Sequence, residues 1–248
     1  MQITIKGNCG YDIPCICEIP QNTDLIVIAL HGFGGNKNTG AIRRMGKKLL
    51  DFNKGMIALD LPCHGDSNAQ KDAFLLKNVI DDIDSVVSFV ENEYPQSDIA
   101  FFATSFGAYA TLLYLSENKE KLISKALCRS SAIDMEKVLT ENIINGRTEE
   151  LEKNGYIDLS ARSMPRVSRE YRDELSRNRL FDIFQKNDFC DYLMIHGTKD
   201  EIAPIDDARA FAQRFGINMI EVAGADHRFK KEYDLELLIN YSMNFFLQ

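Results

Sequence analysis

The chain has 248 residues, enough for one large domain with a substantial core, and its 45% hydrophobic and 27% charged content is that of an ordinary soluble globular protein. A net charge of −8 argues against nucleic acid or an anionic membrane as the main partner. The start, Met1-Gln-Ile-Thr-Ile-Lys6, lacks the apolar core of a signal peptide, and no apolar run approaches membrane-spanning length. Six scattered cysteines without CxxC pairs point to free thiols in a reducing cytoplasm and to no zinc site.

In chain order, residues 1 to 18 read as two short strands around the turn Gly7-Asn-Cys-Gly10. Leu25-Ile-Val-Ile-Ala-Leu30 is a continuous apolar strand, as expected where both sheet faces are covered. A helical period over 41–52, a buried strand at 55–60 and a long amphipathic helix over 73–94 follow. The next apolar run, from Ile99, breaks at Ser105 and restarts as a helix to about Leu115. Further strands are expected at 123–128, 190–195 and 218–222, with helices over 205–215 and 232–247. Strand alternates with helix, which implies an α/β fold with a mainly parallel central sheet and helices on both faces.

Residues 131–188 depart from that rhythm, with helical patterns and no convincing strand. They are expected to form an inserted helical cap on a core made of 1–130 and 189–248. Ser163 to Glu174 reads as a helix start with proline in its first turn, pairing Arg166 with Glu170 and Arg169 with Asp173. A solvated, salt-bridged face accounts for these residues. The sharper alternative is that some of Arg162, Arg166, Arg169 and Arg172 face the pocket and select an anionic substrate.

In such sheets, functional groups gather in loops at the carboxyl ends of strands. Ser105 lies at one such end, in Ala103-Thr-Ser-Phe-Gly107. A serine on a tight strand-to-helix turn is placed for nucleophilic attack, and the crowded turn needs small residues two before and two after it. Ala103 and Gly107 meet that need, although the usual pattern has glycine at both positions. Taken alone, Ser105 serves equally well as a helix N-cap. The glycines of His31-Gly-Phe-Gly-Gly35 allow a sharp turn whose amides face a developing negative charge, with Phe33 and Phe106 as the two donors. Phosphate binding there is the weaker option, because the full phosphate-loop patterns are missing. Asp200 follows the 190–195 strand, and His227 follows the 218–222 strand. Packing or turn roles suffice for His31 and His196, while His64 is expected to shape the pocket wall.

Ser105, Asp200 and His227 stand in the order nucleophile, acid, base, each at a strand end. With the His31-Gly-Phe33 loop, the His196-Gly-Thr-Lys-Asp200 turn and Asp60-Leu-Pro-Cys-His-Gly-Asp-Ser67, the chain resembles the α/β-hydrolase superfamily over nearly its whole length. The resemblance implies two-step acyl transfer to water without metal or organic cofactor. It also implies a small-molecule ester as the substrate, as in bacterial carboxylesterases, including those that cleave hydroxycinnamoyl esters. Asp134 is a runner-up for the acid, followed by Asp226 and Glu201. A serine in the elbow counts against the family's aspartate- and cysteine-nucleophile branches. A peptidase or amidase, and a catalytically silent binding protein, are the alternative functions.

Overall fold

The computed structural model describes residues 1–119, 121–159 and 164–248. Ten strands are present among them: β1 (Gln2–Lys6), β2 (Asp12–Glu18), β3 (Leu25–Leu30), β4 (Gly55–Leu59), β5 (Asp98–Thr104), β6 (Ile123–Arg129), β7 (Tyr156–Asp158), β8 (Arg166–Ser168), β9 (Asp191–Gly197) and β10 (Asn218–Val222). Eight form one sheet in the order β1-β2-β4-β3-β5-β6-β9-β10. β2 pairs antiparallel with β1 on one side and β4 on the other, and every other pairing in this sheet is parallel.

The all-apolar sequence of β3 follows from its central position, where all six residues are buried. Ile26, Ile28 and Leu30 pack on the side of α2 (Leu76–Glu93), α3 (Phe106–Glu117) and α8 (Ile205–Phe215). Leu25, Val27 and Ala29 pack on the side of α1 (Gly40–Asp51) and α9 (Glu232–Leu247). The two-residue alternation of a strand thus splits one apolar run between two cores.

The segment between β6 and β9 departs from its sequence reading. Residues expected to lack strands contain the antiparallel pair β7–β8, in which Ile157 faces Val167 and both are buried. Arg166 lies in β8, and the following helix α6 (Arg169–Arg177) begins only after Ser168, whose hydroxyl accepts the Tyr171 amide at 3.0 Å. Pro165 therefore leads into a strand rather than opening a helix, in keeping with its missing N–H donor.

The expected arginine pairs change with this. Arg166 bonds Asp158 and Asp72 and stacks over Tyr156 at 3.9 Å, while Asp173 pairs with its neighbour Arg172. Arg172 also bonds Glu152, and Arg169 lies against Gly155. Arg162 falls outside the described residues.

Leu151, Ile157, Val167, Tyr171 and Leu175 from this segment share one apolar cluster with β3, α2 and α3. A second tie is polar: Glu174 is buried, and its Oε2 accepts the Leu76 amide at 2.6 Å. That amide is the first of α2, which has no side-chain cap of its own. The helix starts there, three residues later than its apolar period suggests, because Lys71–Ala73 form a separate 3₁₀ turn.

Candidate active site

Ser105 joins β5 to α3 with φ 55° and ψ −115°, a conformation that costs a non-glycine residue free energy and is held by its surroundings. Its amide donates to the Arg129 carbonyl at 2.9 Å. The hydroxyl makes no capping bond to α3, which answers the helix-cap reading: the side chain is spared for other work. Gly107 explains the small residue after the turn. A Cβ there would lie 2.6 Å from the His31 carbonyl oxygen and 2.9 Å from Leu30 Cβ. Ala103, before the turn, is fully buried between Leu30 and Cys128 of the neighbouring strands, so its methyl is accommodated.

The loop after β3 runs past this turn. A Cβ built on Gly32 would be 3.0 Å from Ser105 Cβ and 3.6 Å from its Oγ, so the backbone next to Phe33 lies against the serine. Phe106 is the first residue of α3, and its amide is among those with no partner inside the helix.

Two buried histidines shape the Phe33 loop. His31 Nδ1 donates to the Gly32 carbonyl at 2.8 Å, leaving Nε2 to accept the Leu61 amide at 3.1 Å. His64 Nε2 accepts the Gly34 amide at 3.0 Å, and its Nδ1 donates to the Pro62 carbonyl at 2.8 Å. Each needs a neutral ring with the proton on Nδ1. Burial enforces that state, pushing His31 down to about 3 and His64 down to about 4.

Asp60, also buried, ties the same two loops together. It accepts the Lys37 amide at 2.7 Å, the Asp66 amide at 2.8 Å and the Lys37 ammonium, which also pairs with Asp66 at 2.7 Å. Burial alone would depress Lys37, but the two carboxylates outweigh it and hold the ammonium charged.

Asp200 and His227 meet across the loops after β9 and β10. His227 Nδ1 lies 2.9 and 2.8 Å from the two Asp200 oxygens, so the ring proton sits there and Nε2 is left as a base. Asp200 Oδ1 also accepts the Ile202 and Ala203 amides, and His196 Nε2 stands 3.0 Å from Oδ2. Burial works to raise this carboxyl, yet the bonds from His196 and His227 prevail and hold it well below the usual carboxylate range.

The runner-up acids take other partners. Asp134 caps the short helix α4 (Met135–Val138) by accepting the Lys137 amide, Asp226 accepts the Arg228 and Lys230 amides, and Glu201 accepts the His227 amide rather than its ring. Sequence reasoning missed Arg129 and Ser130, which both donate to the His227 carbonyl, at 2.8 and 3.0 Å. A buried arginine at a strand end was the available signal. Among the described residues, no group of three or more His, Cys, Asp or Glu side chains could hold a metal ion, and no helix is long and apolar enough to cross a membrane.

A mostly parallel sheet with helices on both faces, a strained serine between β5 and α3, and an acid–imidazole pair after later strands together define an α/β-hydrolase. Residues 21–181 match the model of the family described as serine aminopeptidase, S33, and the chain belongs to that family.

Solved structures share the fold. Est1E from Butyrivibrio proteoclasticus, with ferulic acid bound, superposes with a TM-score of 0.85 at 20% identity, covering 99% of this chain and 98% of that one. A putative hydrolase from Agrobacterium vitis S4 gives 0.82 at 19% identity, covering 98% and 97%. Mouse alpha/beta hydrolase domain-containing protein 10 gives 0.78 at 17%, covering 99% and 98%. No curated protein matches the chain.

Proposed function

We propose that the chain is a serine carboxylesterase acting on small to medium acyl or aromatic esters. The observation that carries this reading is a non-capping serine in a strained elbow, with an imidazole held by a buried carboxylate on the neighbouring strand-end loops. His227 Nε2 takes the Ser105 proton as Oγ attacks the ester carbonyl, and Asp200 fixes the ring's tautomer and stabilises its charged form. The Phe33 and Phe106 amides receive the oxyanion, aided by the positive end of α3. Collapse of the tetrahedral intermediate expels the alcohol, protonated by His227, and leaves an acyl-Ser105. Water, deprotonated by His227, then attacks the acyl carbonyl, releasing the acid and restoring the serine. This chemistry runs on protein groups alone.

The ferulic acid bound to Est1E favours trying aromatic acyl groups first. Amide or peptide cleavage is the second reading, favoured by the aminopeptidase description of the family. Six free thiols support a reducing compartment, hence the cytoplasm, as the place of action. The deciding experiment is a panel of esters and amides varying acyl length and aromaticity, run on wild type and Ser105→Ala. Ester turnover lost in the variant is expected. Turnover of amides alone would sink the esterase reading, and equal turnover in both proteins would sink the hydrolytic site.

A further inference from the structure

We propose that Arg129 is a positioning residue of the hydrolytic site, which ties the Ser105 turn to the His227 loop and places a fixed positive charge behind the Asp200–His227 pair. The inference rests on the serine-hydrolase reading of that site.

Arg129 ends β6, between β5 and β9 in the sheet, and touches both halves of the machinery. Its carbonyl accepts the Ser105 amide at 2.9 Å. Its Nη2 donates to the His227 carbonyl at 2.8 Å, and its guanidinium lies over the Phe229 ring at 5.2 Å. The residue thus spans the two, reaching the nucleophile's turn with its backbone carbonyl and the base's loop with its side chain. Ser130, beside it, adopts φ 48° and donates its hydroxyl to the same His227 carbonyl, while its amide holds the Ile195 carbonyl at 2.9 Å. Phe229, two residues past the base, is also left-handed, with φ 52°. The backbone on both sides of this contact is therefore held away from its relaxed conformation.

The charge matters as much as the bond. Arg129 is buried, and the hydrogen-bond partner of Nη2 is a carbonyl rather than a carboxylate. Burial pulls it down to about 10 while Asp200 and Asp226 work against that, so the guanidinium stays charged at neutral pH. His227 in turn faces Asp200 at its ring and Glu201 at its amide, with His196 on the far side of Asp200 and Asp226 next to it in its own loop. A buried cation near Asp200 opposes the imidazolium that forms during the reaction, so removing that charge favours the protonated ring. Geometry and charge make separable predictions.

Arg129→Gln keeps hydrogen-bond donors but loses the charge, and Ser130→Ala keeps the charge but loses one donor to the same carbonyl. In Arg129→Gln, kcat is expected to fall between about tenfold and a hundredfold with little change in KM. The acid limb of its kcat/KM profile should move up by about 0.5–1 pH unit. Ser130→Ala should lose a few-fold in kcat with its acid limb in the wild-type position. An Arg129→Gln profile that superimposes on wild type, or a wild-type kcat, would overturn the proposal.

Should Arg129→Gln fail to fold, Arg129→Lys carries the test: lowered kcat with an unmoved acid limb is expected, and wild-type kcat or a shifted limb counts against it. Ser105→Ala is run alongside. Retained turnover there defeats the site and this inference together, whereas an inactive Ser105→Ala with an unchanged Arg129→Gln profile defeats the inference alone.

Discussion

His64 Nε2 accepts the Gly34 amide at 3.0 Å, so a ring from one strand-end loop holds the loop that carries Phe33. The bond exists only while the ring is neutral, and burial keeps it so, with His64 pushed from 6.5 down to about 4. Between those values the unfolded chain binds a proton that the folded chain refuses. Stability therefore falls as pH drops through this window and is fully present above it. His64→Gln is expected to flatten that part of the stability–pH curve, read by urea unfolding at pH 7 and pH 5. It should also lower kcat by about tenfold or more, since the Phe33 loop loses a fixed point.

Asp82 has the opposite sign. It sits on α2 with both carboxylate oxygens buried and without a hydrogen bond among the described residues. Burial raises it from 3.8 to about 7, against a weaker pull from the Tyr11 hydroxyl and with a push from Asp81. Between those values the folded state holds a proton that the unfolded state has released, so this contribution is lost as pH rises through the window. Asp82→Asn should match wild type near pH 4 and exceed it at pH 8, by on the order of a few kcal/mol. Equal unfolding midpoints at pH 8 would show that Asp82 ionises in the fold without cost.

The two small residues around Ser105 are not equivalent. Gly107→Ala would drive a methyl into the His31 carbonyl and Leu30, neither of which is the free end of a flexible side chain. A loss of about 1–3 kcal/mol is expected, with reduced turnover as the elbow shifts. Ala103→Gly should cost only about 0.5–1 kcal/mol through backbone entropy and leave turnover nearly intact. Denaturant midpoints and kcat of the two variants decide this.

Glu174 is the missing cap of α2. Glu174→Ala leaves the Leu76 amide without an acceptor and removes a negative charge from the helix's positive end, at a cost of about 1–2 kcal/mol. Glu174→Gln keeps an acceptor and should lose less. Thermal midpoints that fall equally in both variants would mean that the hydrogen bond carries none of the effect.

Much of this was legible from local pattern. The span 218–222 and the helices at 205–215 and 232–247 match their sequence reading, because each apolar period runs unbroken between clear stops. The order Ser105, Asp200, His227 pointed to the candidate site because each residue lies in the turn or loop that follows a strand, and strand ends are readable. The segment between β6 and β9 was not legible in the same way. Strands β7 and β8 are three residues each, too short to show alternation, and they join Ile157 to Val167, both of which belong to the apolar cluster that also holds Tyr171 and Leu175. The roles of Arg129 and Glu174 were hidden for a different reason. Each acts on a backbone group 98 residues away, a relationship that no local spacing encodes.

Ser105 is proposed to form the acyl-enzyme. The most direct measurement of this is mass analysis after treatment with a reactive aryl phosphonate ester, alongside aryl ester turnover in the same samples. The expected result is one adduct, mapped to the peptide containing Ser105, with turnover lost in step, and neither adduct nor turnover in Ser105→Ala. Ester turnover that survives in Ser105→Ala, or an inactivating adduct on another residue, would contradict it.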